Sequence, residues 1–270
     1  PPPPPAAGGG GPPPIPLDAF AKIMQEGVSR GLAAISTNPI GEALLNSDLE
    51  RYFEIAKSAG VIDMILYTNA HKLTRDRSIS LIKSGVTWIN ISIGATTKET
   101  YESMREYADF DKVVNNALGF IAAKKELGSE LPMVRVSFVN TRQNADELED
   151  FVAFWGDKAD VVSVQNLVNY HKYTKNADRF SKDFSLEIEE DNDKTKAFCS
   201  QPFQRLLIRN NGDITPCCRF FGLNLVFGNA FADSVYEVYN GEAMKSFKQN
   251  LNTPNQTAVC RRCLEAMTEG

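Results

Sequence analysis

Cysteine is missing from everything before position 199; all five stand between Cys199 and Cys263. Long apolar runs are missing too: nowhere do about 18 apolar residues follow one another, so no membrane-spanning helix is expected. Basic residues never cluster. The 270 residues carry 29 Lys and Arg against 34 Asp and Glu, a net charge of −5. Nucleic acid or an anionic membrane would need a clustered basic face, so neither is expected as a partner. Residues 1–20 have neither a charged n-region nor an apolar h-region, and no secretory leader is expected. The expectation is a cytoplasmic protein whose cysteines stay reduced, and their clustering favours a metal over a disulfide.

What is present suffices for a core. With 43% hydrophobic residues, the chain fits one large α/β domain or one domain plus a small appendage. Its cysteines come from three places: Cys199, then Cys217-Cys218, then Cys260-Arg261-Arg262-Cys263. Four thiolates from three places can close around one metal centre. An iron–sulfur cluster, a four-cysteine zinc site and free thiols are all compatible with that pattern. At the other end, residues 1–14 read PPPPPAAGGGGPPP. Such a run cannot form the interior of a helix or strand; it reads as a linker or as a stand-in for other sequence.

Between these ends the chain alternates. Apolar residues at helical spacing start at Leu17, and Leu32–Ser36 is short and strand-like. A helix is predicted over Ser47–Ala59, with Ser47 as N-cap, Glu50 completing a capping box and Gly60 as the stop. Further strands are predicted at 63–68, 87–93, 134–139 and 161–165, with helices at 75–83, 98–105, 111–127 and 145–155 between them. Alternation of this kind means βαβ units, and right-handed crossovers keep the strands parallel with their C-termini on one edge. That edge carries the site in such folds. Beyond residue 175 the repeat stops: 178–196 is a charged connector, 204–217 a hairpin turning on Asn211-Gly212, and 234–250 a single helix. The organisation expected is a low-complexity segment (1–14), a barrel-like domain (15–175) and a cysteine-bearing domain (176–270).

The strand ends hold the remaining candidates. Gly41 permits close backbone approach, and Glu42 can accept hydrogen bonds from an amino group; a turn with a solvated glutamate is the plain alternative. Thr68-Asn69 and Ser92 suit a ligand with hydroxyls and a carboxylate, or ordinary loop capping.

Gly41-Glu42-Ala43-Leu44-Leu45 resembles the Gly-Glu-Pro motif of radical S-adenosylmethionine (SAM) enzymes, Thr68-Asn69-Ala70 resembles their Thr-Asn-Gly, and Ile91–Thr96 with Tyr101 and Arg105 resembles their Ser-Ile-Asp-Gly segment. Cys199-x-x-Pro202, Gly212–Cys218, Gly228-Asn229 and Cys260-x-x-Cys263 are closely similar to the C-terminal SPASM or twitch extension of that family. The resemblance implies a partial (β/α)6 TIM-like barrel followed by a small cysteine-rich α+β domain. It implies that Cys199, Cys217, Cys260 and Cys263 ligate an auxiliary [4Fe–4S] cluster, with Cys217 rather than Cys218 as the ligand. SAM is the implied second cofactor, held by Gly41, Glu42, Thr68, Asn69, Ser92 and Arg135. A 5′-deoxyadenosyl radical would then abstract hydrogen from a carbohydrate, aminocyclitol or peptide substrate, with flavodoxin or ferredoxin as electron donor. The family's Cys-x3-Cys-x2-Cys, which holds a second [4Fe–4S] cluster, is not in this sequence; nor are Pro at Ala43, Gly at Ala70 and Asp at Gly94. A degenerate, non-catalytic scaffold that keeps only the four-cysteine site is therefore the competing expectation.

Other residues read as follows. Arg135 alternates with apolar Val134 and Val136, so it points into the barrel and needs a carboxylate: SAM's, a substrate's or that of Glu42. His171, in Tyr170–Tyr173, sits past the last strand as substrate contact or surface loop. His71 reads as a solvated turn residue, and Trp88 and Trp155 as core. Gly222–Asn229 walls a substrate pocket or merely connects.

Overall fold

The computed structural model describes residues 13–37, 41–166, 198–218 and 224–268. The chain divides into two compact units: Ala33–Phe198 with Arg261–Gly270, and Pro1–Leu32 with Cys199–Cys260.

The larger unit is a parallel sheet of five strands in the order β1 (Ala34–Ser36), β2 (Asp63–Thr68), β3 (Trp88–Ser92), β4 (Met133–Asn140), β5 (Val161–Asn166). Helices α2 (Leu49–Ala59), α3 (Arg75–Ser84), α4 (Lys98–Met104), α5 (Phe110–Glu126) and α6 (Leu148–Trp155) lie between the strands in sequence. Strand order thus follows chain order, as βαβ crossovers require. The alternation read from the sequence holds at every strand. Stops hold as well: Gly60 and Gly85 end α2 and α3 with φ of 105° and 99°, a conformation that favours glycine. The capping box at Ser47 does not form. Helix α2 begins at Leu49 after Asp48 without a side-chain cap. Glu50 instead turns to Arg77, 2.7 Å away, and accepts a hydrogen bond from Ser80 Oγ at 2.7 Å. A half-buried guanidinium draws the carboxylate away from the helix end.

Side-chain alternation gives the sheet two different faces. Leu66, Ile89, Ile91, Val136 and Phe138 are fully buried. Phe138 meets Phe151 of α6 with ring centroids 4.9 Å apart, and Trp155 is buried nearby. The opposite parity carries Trp88, Asn90, Ser92, Arg135 and Ser137, a mostly polar set. Trp155 is core as expected; Trp88 is half-buried on the polar face, with the Arg135 guanidinium 5.0 Å from its ring centroid.

In the smaller unit, α1 (Leu17–Ser29) accompanies the cysteine-bearing segment, although the sequence alone assigns it to the barrel. The reason is visible. Glu26 of α1 accepts hydrogen bonds from Ser234 Oγ (2.6 Å) and the Tyr236 N–H (2.9 Å), at the start of α8 (Val235–Asn240). Arg30 also lies over the Tyr236 ring, 4.7 Å from its centroid. The short helix α7 (Gln201–Gln204) leads into the predicted hairpin, formed by β6 (Leu207–Ile208) and β7 (Asp213–Thr215). A third strand, β8 (Gly228–Asn229), pairs with β7. The single helix expected over 234–250 is two, α8 and α9 (Glu242–Asn250), broken where Gly241 is extended (φ −72°, ψ 163°). Helix α10 (Ala258–Thr268) carries Cys260, the last residue of this unit, and Cys263, which is counted with the larger one.

The expectations for Tyr170–Tyr173, the 178–196 connector and the boundary at residue 175 concern positions outside the described residues.

Candidate functional site

Glu42 is the centre of the first cluster, at the C-terminal end of β2. Gly41 turns the chain with φ 93°. The Glu42 carboxylate then accepts hydrogen bonds from the Leu44 N–H (3.0 Å), Thr68 Oγ1 (2.7 Å) and the Asn69 N–H (2.8 Å). A carboxylate offers about four acceptor positions, so one remains. Thr68 is committed internally, since its hydroxyl also accepts from the Ala70 N–H at 3.0 Å. Asn69 Oδ1 accepts from the His71 N–H at 3.0 Å. Ala70 has φ 59°, so this alanine occupies a backbone conformation that ordinarily favours glycine. His71 is not a merely solvated residue: its Nε2 accepts from the Asp109 N–H at 3.3 Å, at the N-cap of α5.

Arg135 and Ser92 lie on the polar face of the same sheet. Arg135 stands opposite Asn90 across the β3–β4 ladder, and Ser92 opposite Ser137. Among the described residues, the Arg135 Nε and Asn90 Oδ1 atoms are buried without hydrogen-bond partners. Glu42 is not the partner of Arg135: among the described residues its carboxylate goes to Leu44, Thr68 and Asn69. The buried Arg135 Nε–H carries a desolvation cost that a ligand's acceptor atom would relieve, and the Asn90 Oδ1 acceptor one that a ligand's donor would relieve.

The loop after β3 is held from the loop after β4. Asn144 Nδ2 donates to the Gly94 carbonyl at 2.7 Å. Glu147 accepts from the Thr96 N–H (2.6 Å), Thr96 Oγ1 (3.0 Å) and the Thr97 N–H (3.3 Å). Partial burial works to raise the Glu147 pKa, but hydrogen bonds from Thr100, Thr97 and Thr96 prevail and hold it below the usual glutamate value. Arg105 donates to the Ile93 carbonyl at 2.5 Å and lies 4.5 Å from the Tyr101 ring centroid. Nothing in the composition of 141–147 signals this latch, so sequence reading passes over it.

The second cluster is that of the cysteines. Burial raises the Cys260 thiol pKa, a hydrogen bond with Thr257 works against it, and the charge of Cys199 adds a smaller push upward. Both cysteines are tied to one turn: the Cys199 N–H donates to Asn252 Oδ1 at 2.8 Å and the Cys260 N–H to Thr257 Oγ1 at 3.3 Å. Cys217 follows β7, where Thr215 Oγ1 donates to its carbonyl at 3.3 Å. Cys260 and Cys263, three apart on α10, share one face of that helix. Among the described residues, no three His, Cys, Asp or Glu side chains form a group able to hold a metal. The four sequence-assigned ligands are thus not gathered into one such group among the described residues. Leu225 and Phe227, from the segment read as a possible pocket wall, line a cleft of about 260 Å³ with Phe247, Leu251 and Gln256.

Residues 199–264 match the SPASM family, an iron–sulfur cluster-binding domain. The whole chain is similar in structure to BtrN in an open conformation, with a TM-score of 0.53 at 15% identity over 92% of this chain and 79% of that one. It is similar also to anSMEcpe with bound AdoMet and the Kp18Cys peptide, with a TM-score of 0.60 at 15% identity over 86% and 74%. Residues 199–264 thus resemble an iron–sulfur cluster-binding domain, and the fold is the one that BtrN and anSMEcpe share.

A probable GTP 3′,8-cyclase of Methanocaldococcus jannaschii is 25% identical over 124 residues, covering 46% of this chain and 39% of the relative. Another from Saccharolobus islandicus is 29% identical over 112 residues, covering 42% and 34%. The match spans well under half the length of these relatives. Within the SPASM region the donor set suits a thiolate-bound cluster. Burial disfavours the Cys260 thiolate, and bound iron would remove that penalty by compensating the charge. Among the described residues, no helix is long and apolar enough to cross a membrane.

Proposed function

We propose that this chain works as a radical SAM enzyme, an oxidoreductase or maturase that removes hydrogen from a substrate carbon, with an auxiliary [4Fe–4S] cluster on Cys199, Cys217, Cys260 and Cys263. The observation that carries the reading is the Glu42 carboxylate, fixed by Thr68 and Asn69 at the end of β2 with one acceptor position to spare. A primary ammonium, such as that of SAM, matches this arrangement in charge and in donors. Arg135, with its unpartnered Nε, would take the carboxylate of the same ligand, and Ser92 a hydroxyl. Gly41 lets the backbone approach closely because nothing lies within 4 Å of where its Cβ would stand.

SAM, when bound beside a reduced cluster, supplies the 5′-deoxyadenosyl radical. The chain's own residues bind and orient: Glu42 and Arg135 fix the two ends of an amino acid moiety, while the latch from Asn144 and Glu147 keeps the neighbouring loop in place. Such positioning is the protein's share of cofactor chemistry. The auxiliary cluster would hold the substrate or accept the second electron, and a small electron carrier such as flavodoxin or ferredoxin would supply the first. The substrate proposed is a carbohydrate or aminocyclitol alcohol, or a peptide; the similar structures include BtrN with AdoMet and 2-DOIA, and anSMEcpe with a peptide. A cytoplasmic location follows from the need for reduced thiols.

A second reading has its own observation: the five cysteines leave none for a Cys-x3-Cys-x2-Cys, which favours a scaffold that keeps only the C-terminal metal. One experiment separates the two. Protein carrying its native N-terminal sequence is reconstituted anaerobically with iron and sulfide, then given SAM and dithionite. Release of 5′-deoxyadenosine is expected, and Glu42→Gln should weaken SAM binding about tenfold or more, the scale of a lost charged hydrogen bond. No 5′-deoxyadenosine from that protein would favour the scaffold, and zinc without sulfide would remove the cluster.

A further inference from the structure

Asn252 lies in the turn after α9 with a left-handed backbone, φ 63°. Its side chain reads the main chain of Cys199, 53 residues away, on both sides. Asn252 Oδ1 accepts from the Cys199 N–H at 2.8 Å, and Asn252 Nδ2 donates to the Cys199 carbonyl at 3.0 Å. An amide presents one acceptor and two donors in a plane, so it matches a peptide unit as a neighbouring strand would. Asparagine also tolerates the left-handed region better than most residues. Its own N–H goes to Gln256 Oε1 at 3.1 Å.

The same loop reaches the second cysteine of the pair. Thr253 Oγ1 donates to the Asn250 carbonyl at 2.7 Å and accepts from the Asn255 N–H at 3.1 Å. The Gln256 N–H donates to the Thr253 carbonyl at 3.1 Å. Thr257 Oγ1 then accepts from the Cys260 N–H at 3.3 Å. Cys199 and Cys260 are thus wired to one polar turn, residues 250–257, whose bonds hold both main chains.

We propose that Asn252 is a positioning residue for the cluster: it fixes where the Cys199 thiolate stands and keeps the Cys199 N–H from donating to cluster sulfur. The inference rests on the proposal that Cys199 and Cys260 ligate an iron–sulfur cluster. Hydrogen bonds to sulfur tune cluster potentials, and second-shell partners orient ligands. An N–H turned toward sulfur stabilises the more negative, reduced state. Releasing the clamp should therefore loosen the cluster and raise its potential.

The test uses the full chain, reconstituted with iron and sulfide, as wild type, Asn252→Gly and Asn252→Asp. Glycine keeps the left-handed backbone and removes both bonds; aspartate keeps the acceptor and removes the donor. Expected are an iron and sulfide content at least twofold lower in N252G, an intermediate content in N252D, and an upward shift of midpoint potential in N252G by spectroelectrochemical titration. Thermal unfolding followed by circular dichroism establishes that each variant is folded. Should N252G fail to fold, N252D decides: wild-type content there overturns the inference. Full iron and sulfide with unchanged potential in a folded N252G overturns it too. Absence of sulfide from the wild type itself overturns the cluster reading, and this inference with it.

Discussion

The two units hold their sites by different means. In the larger one, Glu42 has three of its acceptor positions filled by the chain itself, on a sheet backed by fully buried Leu66, Ile89, Ile91 and Phe138. In the smaller one, the strands are two or three residues long. Among its described residues the buried apolar side chains are Ile23, Met24, Pro202, Ile214, Pro216, Met244 and Leu251, far fewer than in the larger unit. What the smaller unit lacks in core it makes up with polar wiring: Glu26 to Ser234 and Tyr236, Asn252 to Cys199, Thr257 to Cys260. Such a unit gains more from a bound metal than a sheet does, because binding free energy becomes folding free energy where little else orders the chain. A ligand site at strand ends can be complete beforehand; a thiolate site between short elements completes itself with its metal.

The largest effect that could break this contrast is metal removal. Chelation of a reconstituted protein should raise amide exchange in residues 199–260 about tenfold or more, the scale of a lost tight ligand, and leave 63–68, 88–92 and 133–140 unchanged. Hydrogen exchange with mass spectrometry reads both regions at once, and equal loosening would erase the distinction. Next comes the core of the larger unit. Phe138→Ala should cost about 3–5 kcal/mol in urea unfolding, with iron content per folded chain unchanged.

Two smaller effects sharpen the picture at the sheet edge. Ala70→Gly should stabilise by about 0.5–1 kcal/mol, because φ 59° costs alanine and not glycine; a lower urea midpoint would mean that the buried methyl matters more. Glu147 gives the smallest. Its folded pKa is held down, so its stabilising contribution is present above the ordinary glutamate value and is lost as pH falls through the lowered one. The acid limb of a stability-versus-pH curve should flatten slightly in Glu147→Gln, and an unchanged limb would show that the latch does not depend on charge.

Periodicity made the sheet legible. Each strand from 34–36 to 161–166 was marked by apolar alternation and bounded by polar turns, and Gly60 and Gly85 marked two helix ends. Long-range side-chain choices were not legible. Glu50 leaves its helix cap because Arg77, distant in sequence, offers a closer charge. Helix α1 leaves the barrel because Glu26 finds Ser234. Strand β8 is two residues long and carries no pattern at all. At the site, Gly41, Glu42 and Thr68-Asn69 could be named from order and type, whereas the orphaned Arg135 Nε and the loop latch of Asn144 and Glu147 depend on burial and distance.

The carboxylate of Glu42 has a further consequence. With three directions closed by Leu44, Thr68 and Asn69, it discriminates by geometry as well as by charge. A guest nitrogen must bring a hydrogen along the one open line. A trimethylated ammonium, equally positive but without N–H, would meet the same field and make no bond. Under the proposed role of Glu42 as the seat of an ammonium, selectivity for amines over quaternary cations follows from three hydrogen bonds that never touch the guest.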